Sequence, residues 1–318
     1  MVTIRSEIPG DYFPIAELHA LAFTNNLDLT EVVIVDGHRR MPEYDPNLSL
    51  VAEMDGRVVG HVLFHPYIMR MDGEDIKAVC LSPIAVHPDY QKKGIGGKLV
   101  LEGLDRAKKK GYQMSFLIGH SSYYPKFGYQ TNMFGTCSIK INSSDIKETE
   151  AVVKERRVQE PDLPLLKSMW EEWYGQVDLS IVPGPSVLHW INHGLGRINS
   201  VVTINEEVEG FLSYEAMNPL IIQQFLSTSK EATKAILSYM TRKSSSLKEG
   251  EISIAVHPEA PITESRIPYP YQASIKTYDT GMIKPLNEEN EIVLRYCDEV
   301  SKGERTPGLL IWPTPFQL

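Results

Sequence analysis

Cysteine and excess positive charge are both scarce in this chain of 318 residues. Cys80, Cys137 and Cys297 are scattered and form no Cys-x-x-Cys motif, which argues against a disulfide framework and against a thiolate metal site. The formal net charge of −9 argues against nucleic acid as a partner, because proteins that bind nucleic acid present a basic face.

Long apolar runs are also missing, and none reaches the length needed to span a bilayer. Residues 1–7 read as a first strand and not as a signal peptide. We therefore expect a cytoplasmic protein that works without a membrane partner.

Length and hydrophobic pattern predict two domains of mixed α/β structure. Apolar residues make up 42% of the chain, which is enough for two cores at this length. Strand-like and helix-like segments alternate in the first half, and Asp55-Gly56 is a typical hairpin turn between two of the strands. The polar stretch 142–150 predicts a linker, so that residues 1–145 form one domain and residues 150–318 a second.

The second half repeats a pattern of the first half at an interval of 150 residues. Segments 51–62 and 201–212 each predict a strand, a tight turn and a second strand with a glycine three residues in. Such self-similarity indicates a tandem duplication; the alternative is that two unrelated hairpins share the pattern. Residues 220–230, where a phosphate-binding loop would be expected, contain no glycine, so we expect a degenerate second copy.

The most informative segment runs from Leu81 to Val100. It combines an apolar strand, a Pro-Asp turn, a basic loop broken by glycines and the start of an amphipathic helix. Glycines let the backbone approach phosphate groups closely, and the free N–H groups at a helix start point toward them. This order of elements predicts a pyrophosphate-binding cradle; the alternative is a glycine-rich turn without a ligand.

The loop Gln91-Lys-Lys-Gly-Ile-Gly96 resembles the acyl-CoA-binding motif Gln/Arg-x-x-Gly-x-Gly/Ala of the GNAT superfamily of N-acetyltransferases. The resemblance covers most of residues 1 to about 140 and implies a GNAT fold with acetyl-CoA as co-substrate. It further implies that strand residues offer backbone groups to the pantetheine, while loop and helix residues hold the pyrophosphate. The implied cofactor-binding residues are Ile84, Ala85, Val86, Gln91, Lys92, Lys93, Gly94, Ile95, Gly96, Gly97 and Lys98.

A second motif, Tyr123-Tyr-Pro-Lys-Phe-Gly-Tyr129, resembles the Tyr-Gly-Arg-Phe-Gly-Tyr segment of the enhanced intracellular survival family, which acetylates aminoglycosides. That family also carries two GNAT domains in tandem, the second of them degenerate. The resemblance implies that Tyr124 is the general acid that protonates the CoA thiolate, although a shift of one residue would give this role to Tyr123. The chain is too short for that family's third, sterol-carrier-like domain, so no role is transferred to Leu318.

The group that accepts the proton of the attacking amine stays open at this stage. The candidates are a chain of water molecules and the side chains of His61, His65, His120 and Glu53. Each of these side chains also has an ordinary interpretation as a packed or hydrogen-bonded residue. Asp28 and Glu31 are either charges that attract a cationic substrate or solvated loop residues.

These features predict an N-acetyltransferase that moves an acetyl group from acetyl-CoA to the primary amine of a small cationic substrate by direct attack. One alternative is a non-catalytic acyl-CoA-binding sensor or scaffold, and another is an enzyme that uses a different activated donor. The apolar residues 309–313 pack either on the second domain or on another subunit, which leaves a homo-oligomer open.

Overall fold

The computed structural model of the chain describes residues 1–23, 29–191, 196–244 and 250–310. The strands are β1 (Thr3–Ser6), β2 (Ser49–Met54), β3 (Arg57–Met71), β4 (Glu74–Val86), β5 (Met114–Ile118), β6 (Phe134–Asn142), β7 (Val153–Arg156), β8 (Arg197–Ile204), β9 (Glu207–Glu215), β10 (Ile221–Ser227), β11 (Glu251–Ile254), β12 (Gln272–Thr277), β13 (Gly281–Pro285) and β14 (Gly308–Leu309). The helices are α1 (Tyr12–Ala22), α2 (Thr30–Arg39), α3 (Ile95–Lys109), α4 (Leu163–Tyr174), α5 (Lys230–Lys243), α6 (Pro261–Arg266) and α7 (Glu291–Lys302). Within these ranges no helix is long and apolar enough to cross a lipid bilayer.

The first sheet has the strand order β1-β2-β3-β4-β5-β13, and its neighbours are antiparallel except for the parallel pair β4 and β5. Successive side chains of a strand point to opposite faces, so each face can be covered separately. Helix α3 covers one face, where Leu99 packs with Phe64. Helices α1 and α2 cover the other, where Ile15 and Val35 pack on Val51. The predicted mixed α/β sheet is confirmed.

The second sheet follows the same plan with the order β7-β8-β9-β10-β11-β6-β12, and β14 pairs with β6. Strand β6 comes from the first half of the chain, yet it lies between β11 and β12 of the second half. In return β13, from the second half, pairs with β5 of the first. The two halves therefore exchange one strand each.

Two details of side-chain contact show that the halves repeat one another. Arg5 pairs with Asp11 at 2.6 Å in the first half, and Arg156 pairs with Asp162 at 2.7 Å in the second, each across a short 3-10 turn that leads into a helix. The glycine shared by the two hairpins has the same role in both copies. A Cβ at Gly60 would lie 3.0 Å from Leu99 of α3. The predicted tandem duplication is confirmed.

The sheets do not follow the predicted division of the chain between residues 145 and 150. Strand β6 ends before this division, but its buried residues Ile139 and Ile141 belong to the core of the second sheet. The same apolar cluster continues from Phe116 of the first sheet to Trp170 and Trp190 of the second half. The two repeats thus share this cluster, whereas Leu99 and Ile15 of the first half belong to two separate clusters.

Candidate active site

A cleft opens in the first sheet where β4 and β5 separate. The two strands pair from Ala78 to Cys80, with Cys80 opposite Phe116, and in the described structure no pairing between them continues beyond that point. A shift in the pairing of β3 with β4 lies next to this point, between Val62 and Phe64. Such irregularities increase the local twist of a sheet. The resulting cavity of about 670 Å³ is lined by the free edge of β4 and by the start of α3.

The loop before α3 places backbone N–H groups at the edge of this cleft. Lys92 has a φ of 61°, and Gly94, directly before the helix, has a φ of 79°. The first N–H groups of a helix have no partner within the helix, and the helix dipole makes this end favourable for anions. This geometry suits a phosphate-bearing ligand.

Nine of the eleven residues predicted to bind the cofactor line the cleft. These are Ile84, Ala85, Val86, Gln91, Lys92, Gly94, Ile95, Gly96 and Gly97. The other two, Lys93 and Lys98, do not line it. The Nζ of Lys93 instead donates a hydrogen bond of 2.9 Å to the backbone oxygen of Asp89 and lies over the ring of Tyr90.

The glycines at the start of α3 leave the floor of the cleft open. A Cβ at Gly96 would lie 3.0 Å from the hydroxyl oxygen of Tyr123, and a Cβ at Gly97 would lie 3.5 Å from the ring of Phe127. Larger side chains at these positions would extend into the cleft. The residues present thus fit an acyl-CoA molecule, because its pantetheine arm and its phosphates need this space.

Tyr124 lies on the wall of the cleft in a short 3-10 helix, and only 7% of its surface is exposed. Its ring makes edge contacts with the rings of Tyr123 and Tyr129. Burial raises the pKa of the Tyr124 phenol well above its usual range, and the neighbouring Tyr123 and Cys80 add to the shift. The phenol therefore keeps its proton at neutral pH.

Lys126 is a residue of the cleft that sequence reasoning did not select. Its Nζ lies 3.8 Å from the centre of the Tyr123 ring, which holds the cation at the cleft wall. The sequence does contain a signal for Lys126, because it is the basic residue of the motif at residues 123–129.

The four candidate side chains for a base lie in different surroundings. His120 is exposed and lines the cleft. His61 is fully buried, with one ring nitrogen 2.8 Å from His19 and the other 2.9 Å from Ser49. Glu53 forms an ion pair with Arg5 at 2.8 Å.

His65, the fourth candidate, stacks on His38 with the ring centres 4.2 Å apart, away from the cleft. Of the acidic residues considered for substrate attraction, Glu31 lies in the first turn of α2, whereas Asp28 falls outside the described residues. No cluster of three or more His, Cys, Asp or Glu side chains suited to a metal ion occurs in the described ranges.

The corresponding edge in the second sheet is closed. Val86 pairs with Gly60 and Ser227 pairs with Gly210, so the repeated glycines identify Ser227 as the counterpart of Val86. The backbone oxygen of Ser227 accepts hydrogen bonds from the indole of Trp173, at 2.9 Å, and from Arg266, at 3.2 Å.

Two residues earlier along β10, the backbone oxygen of Phe225 accepts a hydrogen bond of 3.2 Å from the Tyr174 hydroxyl. In the first sheet the Val86 oxygen also accepts a side-chain hydrogen bond, from Gln91 at 3.1 Å, but Gln91 is exposed, whereas Trp173 and Tyr174 are buried. These contacts distinguish the edge of β10 from the edge of β4.

Comparison with known proteins agrees with the geometry of the first half. A family model described as an acetyltransferase (GNAT) domain matches residues 3–131. The uncharacterized N-acetyltransferase YhbS of Escherichia coli K12 is 34% identical over 128 residues, which are 40% of this chain and 72% of YhbS. YjhQ of the same organism, also an uncharacterized N-acetyltransferase, is 34% identical over 114 residues, and the matched part covers 36% of this chain and 60% of YjhQ.

A solved structure extends the likeness of fold to the second half. Eis1 from Mycobacterium abscessus matches with a TM-score of 0.62, and the match covers 91% of the present chain and 74% of Eis1. At 14% sequence identity this likeness concerns the fold alone. The sequence relatives and the family model lead to one conclusion: the chain belongs to the GNAT family of acetyltransferases.

Proposed function

We propose that the protein transfers the acetyl group of acetyl-CoA to the primary amine of a small cationic substrate. The observation that carries the proposal is the cleft of the first sheet, where a free strand edge meets a helix start that is rich in glycine. A pantetheine arm adds to a free strand edge by backbone hydrogen bonds, and a pyrophosphate suits a helix start. The net charge of −9 favours a cationic substrate.

Each part of the cleft has a distinct role in holding acetyl-CoA. In this proposal the backbone groups of Ile84 and Val86, with Ala85 between them, bind the pantetheine, which takes the place of the exposed Gln91 side chain at the Val86 oxygen. The loop from Gln91 to Gly97 binds the pyrophosphate through its N–H groups. Lys92 and Lys126 line the same cleft and add positive charge near the phosphates.

Tyr124 acts in the transfer step as the general acid. Acetyl-CoA supplies an activated acyl group whose leaving atom is a sulfur. The neutral amine attacks the carbonyl carbon, the C–S bond breaks, and the Tyr124 hydroxyl gives its proton to the sulfur as negative charge develops there. Because the buried phenol holds its proton, the acid is present in the correct state at the start of each cycle.

His120 is the best placed of the four candidate side chains to receive the proton that the amine loses. It alone among these four lines the cleft, whereas His61 and Glu53 are engaged in hydrogen bonds or ion pairs and His65 stacks on α2. An exposed imidazole exchanges its proton with water directly, so the base returns to its starting state without a buried relay.

The experiment that tests the proposal is a calorimetric titration of the full chain with acetyl-CoA. We expect one site per chain, because Trp173, Tyr174 and Arg266 close the counterpart cleft in the second half. Gly96→Val should abolish binding, since its side chain would enter the cleft beside Tyr123. Gly10→Val is the matched control, because a Cβ at Gly10 meets no atom within 4 Å.

Absence of acetyl-CoA binding to the unmodified chain would overturn the proposal. Binding followed by no transfer to any amine in a screen that detects free CoA thiol would favour a non-catalytic acyl-CoA sensor instead. Two sites per chain would contradict the assignment of the second half as closed.

A further inference from the structure

The first sheet has a gap at the edge of β3 that faces away from the cofactor cleft. Strand β2 pairs with β3 as far as the pair Ser49 and Leu63. Further along β3, a segment of the second half pairs with this edge. The backbone N–H of Val182 donates a hydrogen bond of 2.9 Å to the oxygen of Ile68, and the N–H of Arg70 donates one of 2.8 Å to the oxygen of Ser180. Between these two partners no pairing is present on this side within the described structure.

A cavity of about 140 Å³ occupies this gap, and we name it the seam cavity because both halves line it. Its floor is His65, Pro66 and Tyr67 of β3, and its walls include Glu43 from the first half and the segment 181–184 from the second. Proline suits this floor, because it has no N–H group to leave without a partner at an unpaired edge. The volume is sufficient for about four or five non-hydrogen atoms.

A carboxylate is held in place at the seam cavity by a residue of the other half. The Nε2 of His189 lies 2.7 Å from Glu43 Oε1. Burial raises the pKa of the Glu43 carboxyl group, but the hydrogen bond and the charge interaction with His189, together with smaller effects, outweigh it, and the net shift is downward. Glu43 is therefore ionised at neutral pH. A second carboxylate, that of Asp75, also lines the cavity, although it is exposed and pairs with Arg70 at 3.1 Å.

His65 supplies a neutral hydrogen-bonding group beside this carboxylate. Only 1% of its surface is exposed, and its Nδ1 has no hydrogen-bond partner in the described part of the chain. Burial lowers the pKa of His65 to about 3, with smaller and opposed effects of Glu43 and His189. The imidazole is therefore uncharged at neutral pH, and a neutral imidazole has one nitrogen that accepts a hydrogen bond.

We propose that the seam cavity binds the ammonium group of a small aliphatic primary amine. The Glu43 carboxylate supplies the opposite charge, and the ring of His65 accepts a hydrogen bond from the ammonium group. Met41 and Ile181 provide apolar wall for the alkyl part. An anion does not suit the site, because Glu43 and Asp75 would repel it and His65 carries no charge to attract it.

This site is separate from the cleft proposed for acetyl-CoA. The seam cavity lies on the outer edge of β3, whereas the cofactor cleft lies on the far edge of its neighbour β4. Residues from both halves contact a ligand in the seam cavity, so that binding would strengthen the contact of the segment 181–189 with the first sheet. The inference goes beyond the transfer reaction and does not depend on it.

The test is a calorimetric titration of the full chain at pH 7.5 with n-propylammonium chloride, compared with 1-propanol at the same ionic strength. We expect saturable binding of the cation and none of the alcohol. Glu43→Gln should weaken binding of the cation about tenfold or more, because a hydrogen-bonded opposite charge is lost. Glu74→Gln, which removes the same charge from an exposed position of β4 outside the cavity, should leave the affinity within about twofold.

Equal behaviour of the cation and the alcohol, or equal affinities of the two variants, would overturn the proposal. An acetyl-CoA titration of each variant shows whether it is folded and reports on the other site. Loss of cation binding with normal acetyl-CoA binding in Glu43→Gln supports the seam site, whereas cation binding to a chain that ignores acetyl-CoA would contradict only the proposed transferase function.

Discussion

The adjacent residues Tyr123 and Tyr124 differ in burial although they share one motif. The Tyr124 phenol is almost fully buried at the cleft wall, while Tyr123 is half-buried and stacks under the Lys126 cation. A sequence pattern could name the pair but could not decide between the two, because the choice depends on which ring the 3-10 turn directs inward. Its burial at the wall of the cleft favours Tyr124 as the acid.

Tyr124→Phe therefore separates chemistry from binding. We expect kcat to fall by about 100-fold or more, since a positioned proton donor contributes roughly that factor. The dissociation constant for acetyl-CoA should stay within about twofold, because the ring and its packing remain. Single-turnover acetyl transfer and calorimetry measure the two quantities. Tyr123→Phe is the control for register, and a larger loss of kcat in that variant would assign the acid to Tyr123 instead.

At the scale of elements, strand β3 and helices α1 and α2 bury several histidines in one layer. His61 contacts His19 of α1, and His65 stacks on His38 of α2, so both β3 residues face the same pair of helices. Burial lowers the pKa of His19, His61 and His65. These three imidazoles are therefore uncharged at neutral pH in the folded chain.

The buried histidines predict a fold that is sensitive to mild acid. In the window between the ordinary histidine pKa near 6.5 and the lowered value of about 3 for His65, the unfolded chain binds a proton that the folded chain does not. The free energy of unfolding therefore falls as the pH drops below about 6.5, by up to about 1.4 kcal/mol per pH unit for each such histidine.

Urea unfolding between pH 7.5 and pH 5.5 measures this slope. His65→Gln should reduce the slope, whereas His120→Gln, at an exposed position, should leave it unchanged. A slope that is the same in all three proteins would show that His65 does not contribute to it.

Local elements could be predicted from the sequence, but the pairing of distant ones could not. The hairpin at Asp55-Gly56, the helix that begins at Ile95 and the glycine loop before it each have a signal within a few residues, and the structure has all three. Strands β6 and β13 carry only a short apolar pattern that fits either sheet. Their exchange is decided by packing across more than one hundred residues, as for Ile139 and Ile141 in the second core.

For the whole molecule, the exchange of strands makes each sheet depend on both halves of the chain. A fragment of residues 1–145 lacks β13, so the edge of β5 is unpaired, and its own β6 has lost the second sheet. We expect this fragment alone to aggregate or to remain unfolded and to bind no acetyl-CoA, because unpaired strand edges and exposed apolar residues favour association.

Co-expression of the fragments 1–145 and 146–318 provides the comparison. The two pieces should copurify and recover acetyl-CoA binding, since every strand of both sheets is then present. Cooperative thermal unfolding and full acetyl-CoA affinity of the fragment 1–145 on its own would show that the first half is independent of β13.

Strand exchange also determines when the first sheet can be completed during synthesis of the chain. Strand β5 is complete when Ile118 has been made, but the strand that covers its edge begins only at Gly281. At ordinary rates of translation this interval is on the order of ten seconds or more. During that time this edge of β5 is open to chaperones or to wrong partners, and the first sheet reaches its final form only after Pro285 has been made.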